Sequence, residues 1–377
     1  MKKQLLIMVC FTLCYSYTFA QTTFSAKNAI NTTTGDAPYV IDSGQLDNDA
    51  FADIVIGSNV GNTVEYYKNN GDGTFTLQPL ISSSVVGISG ILIADLNNDS
   101  FNDIIATSFN DNELLWFEND GFGVFGTEQI ISSTVDGAGA IVAGDIDGDS
   151  TIDLAVVAYN SGDTYWFANN GAGVFSTAQI IDAVPASGPG SIDIADFDSD
   201  GDLDIVIANT DAGNVEVYYN NLIPGGMPTF TIDANNVRTG GAYLFNVSFG
   251  DVDDDGNLDV VVADLFGSTT GLKWYKKEIA GTYTETTLTS TIANPSTAMV
   301  ADMDDDGYND IVLSSGTSGG GVDIVWFESN DVGGLGAATT IDATQSQAYA
   351  FTLSDFDNDG DLDIASVSYN QDDLNLF

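Results

Sequence analysis

Apolar residues come in short bursts along this chain, separated by polar, glycine-rich stretches, and the bursts fall in a fixed order. A run such as Gly90-Ile91-Leu92-Ile93-Ala94 precedes an acidic stretch, and a second run such as Asp204-Ile205-Val206-Ile207-Ala208 follows it. A loop rich in Asn, Gly and Ser comes next. Then an aromatic segment alternates large and polar residues: VEYY, ELLWF, TYWF, VEVYY, LKWY and IVWF. A turn such as Asn69-Asn70-Gly71-Asp72-Gly73 leads to a fourth segment that starts near Phe75, Phe125, Phe175 or Phe230. Short β-branched and aromatic runs bounded by Gly and Asn predict strands. No stretch carries a convincing 3.6-residue period, so no helix is expected.

The acidic stretch marks a repeat. It reads QLDNDAFADI from Gln45, DLNNDSFNDI from Asp95, DIDGDSTIDL from Asp145 and DFDSDGDLDI from Asp196. It returns as DVDDDGNLDV from Asp251, DMDDDGYNDI from Asp302 and DFDNDGDLDI from Asp355. The last aspartates of the seven copies step by 50, 50, 51, 55, 51 and 53 residues. Four short strands repeated at that interval predict an all-β fold, a seven-bladed β-propeller with four-stranded blades. Asp373-Leu374-Asn375-Leu376-Phe377 matches the third strand of a blade, and Thr23-Phe24-Ser25 aligns with Thr74-Phe75-Thr76. An N-terminal strand is therefore expected to close the last blade and hide both sheet edges.

Residues 1–20 read as a secretory signal: Lys2 and Lys3, an apolar run from Leu5 to Leu13, and Thr18-Phe19-Ala20 before Gln21. Residues 21–377 then form the propeller, without a transmembrane segment. Cys10 and Cys14 both lie in the leader, so the mature chain has no cysteine, and disulfides cannot stabilise it. A secreted or cell-surface, monomeric protein is expected.

The net charge is −47, with no histidine. Such a field repels phosphates, which excludes nucleic acid and anionic membranes as partners. Within each acidic stretch, positions 1, 3, 5 and 9 carry oxygen side chains, and position 6 is Gly in four of seven copies. Carboxylates crowded on one loop repel unless a cation lies between them. The glycine permits a left-handed turn, and the carbonyl of position 7 adds another oxygen. Flexible oxygen ligands without His or Cys describe a calcium site rather than zinc, copper or magnesium. An EF-hand would need Glu at position 12, where this chain has Ile56, Ala106, Val156, Ile207, Val262, Leu313 and Ser366.

The D-x-D/N-x-D-G-x-x-D-apolar motif resembles the FG-GAP and VCBS-type repeats of integrin α-subunit propellers and many secreted bacterial proteins. The resemblance covers all seven repeats and implies calcium bound within each blade. The implied ligands are Asp196, Asp198, Asp200 and Asp204; Asp251, Asp253, Asp255 and Asp259; Asp302, Asp304, Asp306 and Asp310; and Asp355, Asp357, Asp359 and Asp363. Asp145, Asp147, Asp149 and Asp153 also match, with Ser150 in place of Gly. Asp95, Asn97, Asp99 and Asp103 carry one charge fewer. The first copy offers Asp47, Asp49 and Asp53 beside Gln45 and Ala50, and is expected to be the weakest site. Together these positions take 26 of the chain's 55 acidic residues.

Tyr66, Trp116, Trp166, Tyr218, Trp274 and Trp326 recur once per repeat, which suits packing between blades better than stacking on sugars. The loops around Ser58–Asn62, Ser108–Asn112, Asn160–Gly162 and Asn209–Asn214 and the central channel are the places where a propeller meets ligands. The reading is an extracellular recognition or adhesion module for glycan or protein. The alternatives are a carbohydrate-active enzyme and a structural surface component. One arginine, Arg238, and five lysines after the leader leave little to neutralise a substrate carboxylate. Glu278 and Glu285 read as surface charge in one irregular loop.

Overall fold

The computed structural model describes residues 24–184, 187–222, 227–240, 243–264, 271–289, 292–316, 323–329 and 334–377, and the leader lies outside them. Among these residues the strands form seven four-stranded antiparallel sheets, one per repeat. In the first blade the strands are Pro38–Gly44, Asp53–Ser58, Thr63–Asn69 and Phe75–Leu77, in that order across the sheet. Neighbouring blades meet through their first strands, which surround a central channel. No helix among the described residues is long and apolar enough to cross a membrane.

The burial of each strand explains its composition. The second strands, such as Asp103–Ser108 and Asp204–Asn209, are buried at every residue except Asp363 in the seventh blade, which is why they read as apolar runs. The first strands are only partly covered where they face the channel, and the fourth strands are the most exposed. Seven apolar clusters fill the spaces between blades. One joins Val55, Tyr66 and Leu46 of the first blade to Ile88, Ile104 and Phe117 of the second. Each such residue withdrawn from water contributes about 1.5–3 kcal/mol, and the blades depend on one another for that burial. Tyr66, Trp116, Trp166, Tyr218 and Trp326 are buried in this way, and Trp274 is half-buried.

Ring closure holds, with a shift in position. The closing strand is Asn28–Asn31, and it pairs Asn28 with Leu376 and Asn31 with Leu374. Phe24 comes just before it and sits 5.6 Å from Trp326, edge to face. Phe75 on Phe356 and Phe125 on Tyr66 repeat that contact. The aligned phenylalanine is thus an inter-blade plug that precedes the strand. Phe125 and Phe175 likewise make single bridges to Asn119 and Asn169, ahead of fourth strands at Gln129–Ser132 and Gln179–Ala183. Thr23 lies outside the described residues.

Candidate metal centres on one rim of the ring

Every acidic stretch joins the first strand of a blade to the second, so all seven stand on the same rim. The loop closes on a pair such as Gly144 with Asp153 or Ala195 with Asp204. Position 2 anchors it: Leu46, Leu96, Ile146, Phe197, Val252, Met303 and Phe356 each plug a different inter-blade cluster. Sequence reasoning passed over this apolar position, although it is visible in all seven copies.

The ninth aspartate is the base of the loop. In six blades it is fully buried, and one oxygen accepts the backbone N–H of position 2, as in Phe197 to Asp204 at 3.0 Å. The other accepts the N–H at the end of the third strand, as in Asn119 to Asp103 at 2.8 Å. Tyr66 Oη adds a bond to Asp53 at 3.1 Å, and Trp274 Nε1 one to Asp259 at 2.8 Å. Burial and neighbouring carboxylates push Asp53, Asp103, Asp259 and Asp363 up to about 6, and Asp153 and Asp204 to about 7.

Backbone N–H groups shape the rest of the loop. The first aspartate receives those of positions 5 and 6, as in Asp306 and Gly307 to Asp302 at 3.2 and 2.9 Å. The fifth receives that of position 7, as in Asp361 to Asp359 at 3.0 Å. Position 6 is left-handed, with φ of 98° at Gly201 and 103° at Gly360, and Ser100 and Ser150 bear the same conformation at 73° and 69°. Ala50 does not, and in that first loop the Gln45 amide instead turns back to the carbonyl of Asp49.

These constraints bring carboxylate oxygens to within 4.8 Å of one another in five loops. The groups are Asp145, Asp147 and Asp153; Asp196, Asp198 and Asp204; Asp251, Asp253 and Asp255; Asp302, Asp304 and Asp306; and Asp355, Asp357 and Asp359. Asp149, Asp200, Asp259, Asp310 and Asp363 belong to the same loops but stand outside those groups. The first two loops form no such trio among the described residues. Buried oxygens of Asp145, Asp253 and Asp304 have no hydrogen-bond partner, and burial with the charges of Asp306 and Asp310 pushes Asp304 up to about 6. Unpartnered buried carboxylate oxygens aimed at like charges suit a hard cation with several oxygen ligands, so the residues fit calcium.

One further position modulates the charge of the rim, and sequence reasoning missed it. It is the residue just before the one whose backbone N–H reaches the ninth aspartate: Lys68, Glu118, Ala168, Tyr219, Lys276 and Glu328. Lys68 pairs with Asp47 and Asp49, and Lys276 with Asp253 and Asp255, so the first and fifth loops contain an ammonium. Glu118 faces Asn97 in the second loop, and Glu328 adds its charge beside Asp304. Next to this position stands the tie between blades. The side-chain amides of Asn69, Asn119, Asn169 and Asn220 donate to the carbonyls of Phe356, Leu46, Leu96 and Ile146 in the preceding blade. Lys277 does the same to Phe197, its ammonium also 3.7 Å above that ring. The recurring Asn before each glycine turn was the available signal.

Glu285, read as loop charge, is instead part of a strand, Tyr283–Thr289, and accepts bonds from Lys273 at 2.9 Å and Tyr275 at 3.0 Å. Arg238 is committed to buried Asp264 at 2.8 Å.

Solved structures share the fold at low identity. A lectin of Agrocybe aegerita, described as recognising non-reducing terminal N-acetylglucosamine, is 19% identical with a TM-score of 0.57, over 82% of this chain and 81% of that one. Virginiamycin B lyase from Staphylococcus aureus is 14% identical with a TM-score of 0.61, over 93% and 97%. BBS1N, solved in complex with ARL6DN, is 9% identical with a TM-score of 0.63, over 94% and 95%. No curated protein sequence matches the chain. The model of the FG-GAP-like repeat matches six overlapping windows: 45–106, 95–156, 145–207, 196–262, 251–313 and 302–366. Each window runs from one acidic loop into the second strand of the next blade, so six windows span all seven loops, and the chain belongs to the FG-GAP-like repeat family.

Proposed function

We propose that this protein is a secreted, calcium-binding propeller that serves as an extracellular recognition module for glycan or protein. The observation that carries the calcium reading is the set of five carboxylate trios, three of which contain a buried oxygen without a partner. Calcium there offsets repulsion that the fold itself leaves in place. Asp251 and Asp302 fix their loops through backbone bonds; Asp304 Oδ1 is left without a partner, as is Asp253 Oδ1, while Lys276 holds the other oxygen of Asp253. At about 100 times its dissociation constant, each ion adds roughly 2.7 kcal/mol to stability. That stabilisation takes the place that disulfides hold in other secreted proteins.

The recognition reading is supported by what the charged groups are already doing. Arg238 and Lys273 are held in ion pairs, and Lys68 and Lys276 lie in the acidic loops, so they serve the scaffold. A fold shared with a lectin is compatible with that role. The test is a calcium titration of the mature chain followed by thermal unfolding, with and without chelator. A rise in the unfolding midpoint with calcium, absent with magnesium at the same concentration, supports the ion assignment. An unchanged midpoint refutes it.

A further inference from the structure

The opposite rim of the ring carries aspartates of its own, among them Asp36, Asp111, Asp136, Asp211 and Asp372, but the lining of its channel mouth is uncharged. There the first strands begin and the second strands end, and aromatic side chains gather around the channel. Tyr39, Phe245 and Tyr349 come from the starts of first strands. Phe109, Tyr159 and Tyr369 come directly after second strands. Tyr349 lies 5.3 Å from Tyr39, 5.2 Å from Tyr369 and 5.5 Å from Phe245, with the ring planes tilted by 41 to 59°. Phe109 and Tyr159 form a second pair at 6.0 Å. All of these rings but Tyr369 line a cavity of about 400 Å³, which is within the size range of small-ligand sites. All six are only partly buried.

The lining selects among ligands. No Asp, Glu, Lys or Arg contributes to it, in a chain with 55 acidic residues. An anion is repelled by the protein's field and meets no base; the lining itself offers a cation no carboxylate, and the neighbouring Asp211 accepts the Tyr159 hydroxyl at 3.0 Å. A polar alcove opens from the same mouth, where Asn59, Ser89 and the exposed Asn110 stand beside Tyr39, Phe109 and Tyr369. Amides and hydroxyls at the edge of tilted aromatic planes suit a molecule with an apolar face and a hydroxylated edge. Burial pushes the Tyr39 phenol up to about 12, so it remains a neutral donor and acceptor at any ordinary pH.

We propose that this aromatic mouth binds the terminal residues of a neutral oligosaccharide, stacked on the tyrosine and phenylalanine rings with hydroxyls turned to Asn59 and Asn110. The proposal rests on the recognition reading above, but not on the identity of the ion.

Calorimetric titration of the full mature chain in calcium tests it, with cellobiose, maltose, lactose and N,N′-diacetylchitobiose as probes and choline as the cationic control. The expected result is binding of at least one disaccharide, weakened about tenfold by Tyr349→Ala, the scale of one lost aromatic contact. Asn110→Ala, at an exposed position, is expected to weaken the same sugar without moving the unfolding midpoint, which keeps the test valid should the tyrosine variant misfold. No disaccharide bound by the folded chain, or choline bound in their place, overturns the proposal. Sugar binding that survives both substitutions overturns the mouth as the site and leaves the recognition function standing. A midpoint insensitive to calcium, with sugar binding intact, overturns only the ion assignment.

Discussion

Lys276 Nζ stands 2.9 Å from Asp255 Oδ2 and also bonds Asp253, inside the fifth acidic loop. Loops of the same motif therefore differ in charge according to a residue on the adjoining strand. Lys276→Gln should raise the calcium affinity of that loop about tenfold or more, since it removes a competing unit charge within contact distance. Glu118→Gln should lower that of the second loop. Site-resolved titration by NMR of the position 6 amides would read both. Equal affinities in the variants and the parent would show that the strand residue does not govern the site.

Acidity should act in opposite directions with and without the ion. Burial holds the ninth aspartates higher in the folded protein than in the unfolded chain, at about 6 to 7 for Asp53, Asp103, Asp153, Asp204, Asp259 and Asp363. Their contribution without metal is full below the unfolded carboxylate range near 4, and it is lost as pH rises through 6 to 7. Bound calcium requires the deprotonated forms, so the stabilisation it gives should grow over the same interval. Thermal midpoints from pH 5 to 7.5, in calcium and in chelator, should diverge as pH rises, and parallel curves would contradict the assignment.

Asn119→Ala should destabilise by about 1–3 kcal/mol, because it leaves the buried carbonyls of Leu46 and Asn102 without their donor. Asn69→Ala removes the equivalent tie to Phe356, where the first blade meets the seventh. Denaturant unfolding would give both values, and losses under about 0.5 kcal/mol would mean that the tie is dispensable.

Gly173 has φ of 67°, and a Cβ there would lie 2.2 Å from the Trp116 ring of the preceding blade. Gly173→Ala should cost about 2–4 kcal/mol, from backbone strain and overpacking together. Gly73, with φ of 77° and open space around it, bears the strain alone. Gly73→Ala should be the milder change, and equal losses would show that the contact with Trp116 is without effect.

The blades were legible because a second strand covered on both faces must be apolar in its interior, and the strand Asp204–Asn209 is so from Ile205 to Ala208. The acidic loops were legible because carboxylates crowded at one spacing in seven copies repel one another unless a cation lies among them. What could not be read was the relation between strands distant in sequence. Whether Lys276 reaches Asp253, 23 residues away, depends on register, which the local pattern does not state. The aromatic mouth was hidden for the same reason. Tyr39, Phe109 and Tyr349 belong to no motif and meet only when the ring closes.

The closing sheet also determines how the ring would respond to tension. Asn28 faces Leu376 across an antiparallel pair, so the chain enters and leaves that sheet at the same end. A pull on segments joined to these two residues would load the hydrogen bonds one after another, as in a zipper, and not all at once in shear. The seventh blade is thus the mechanical latch of the molecule. It would yield at low force while the other six blades, whose strands follow one another in the chain, stay shut.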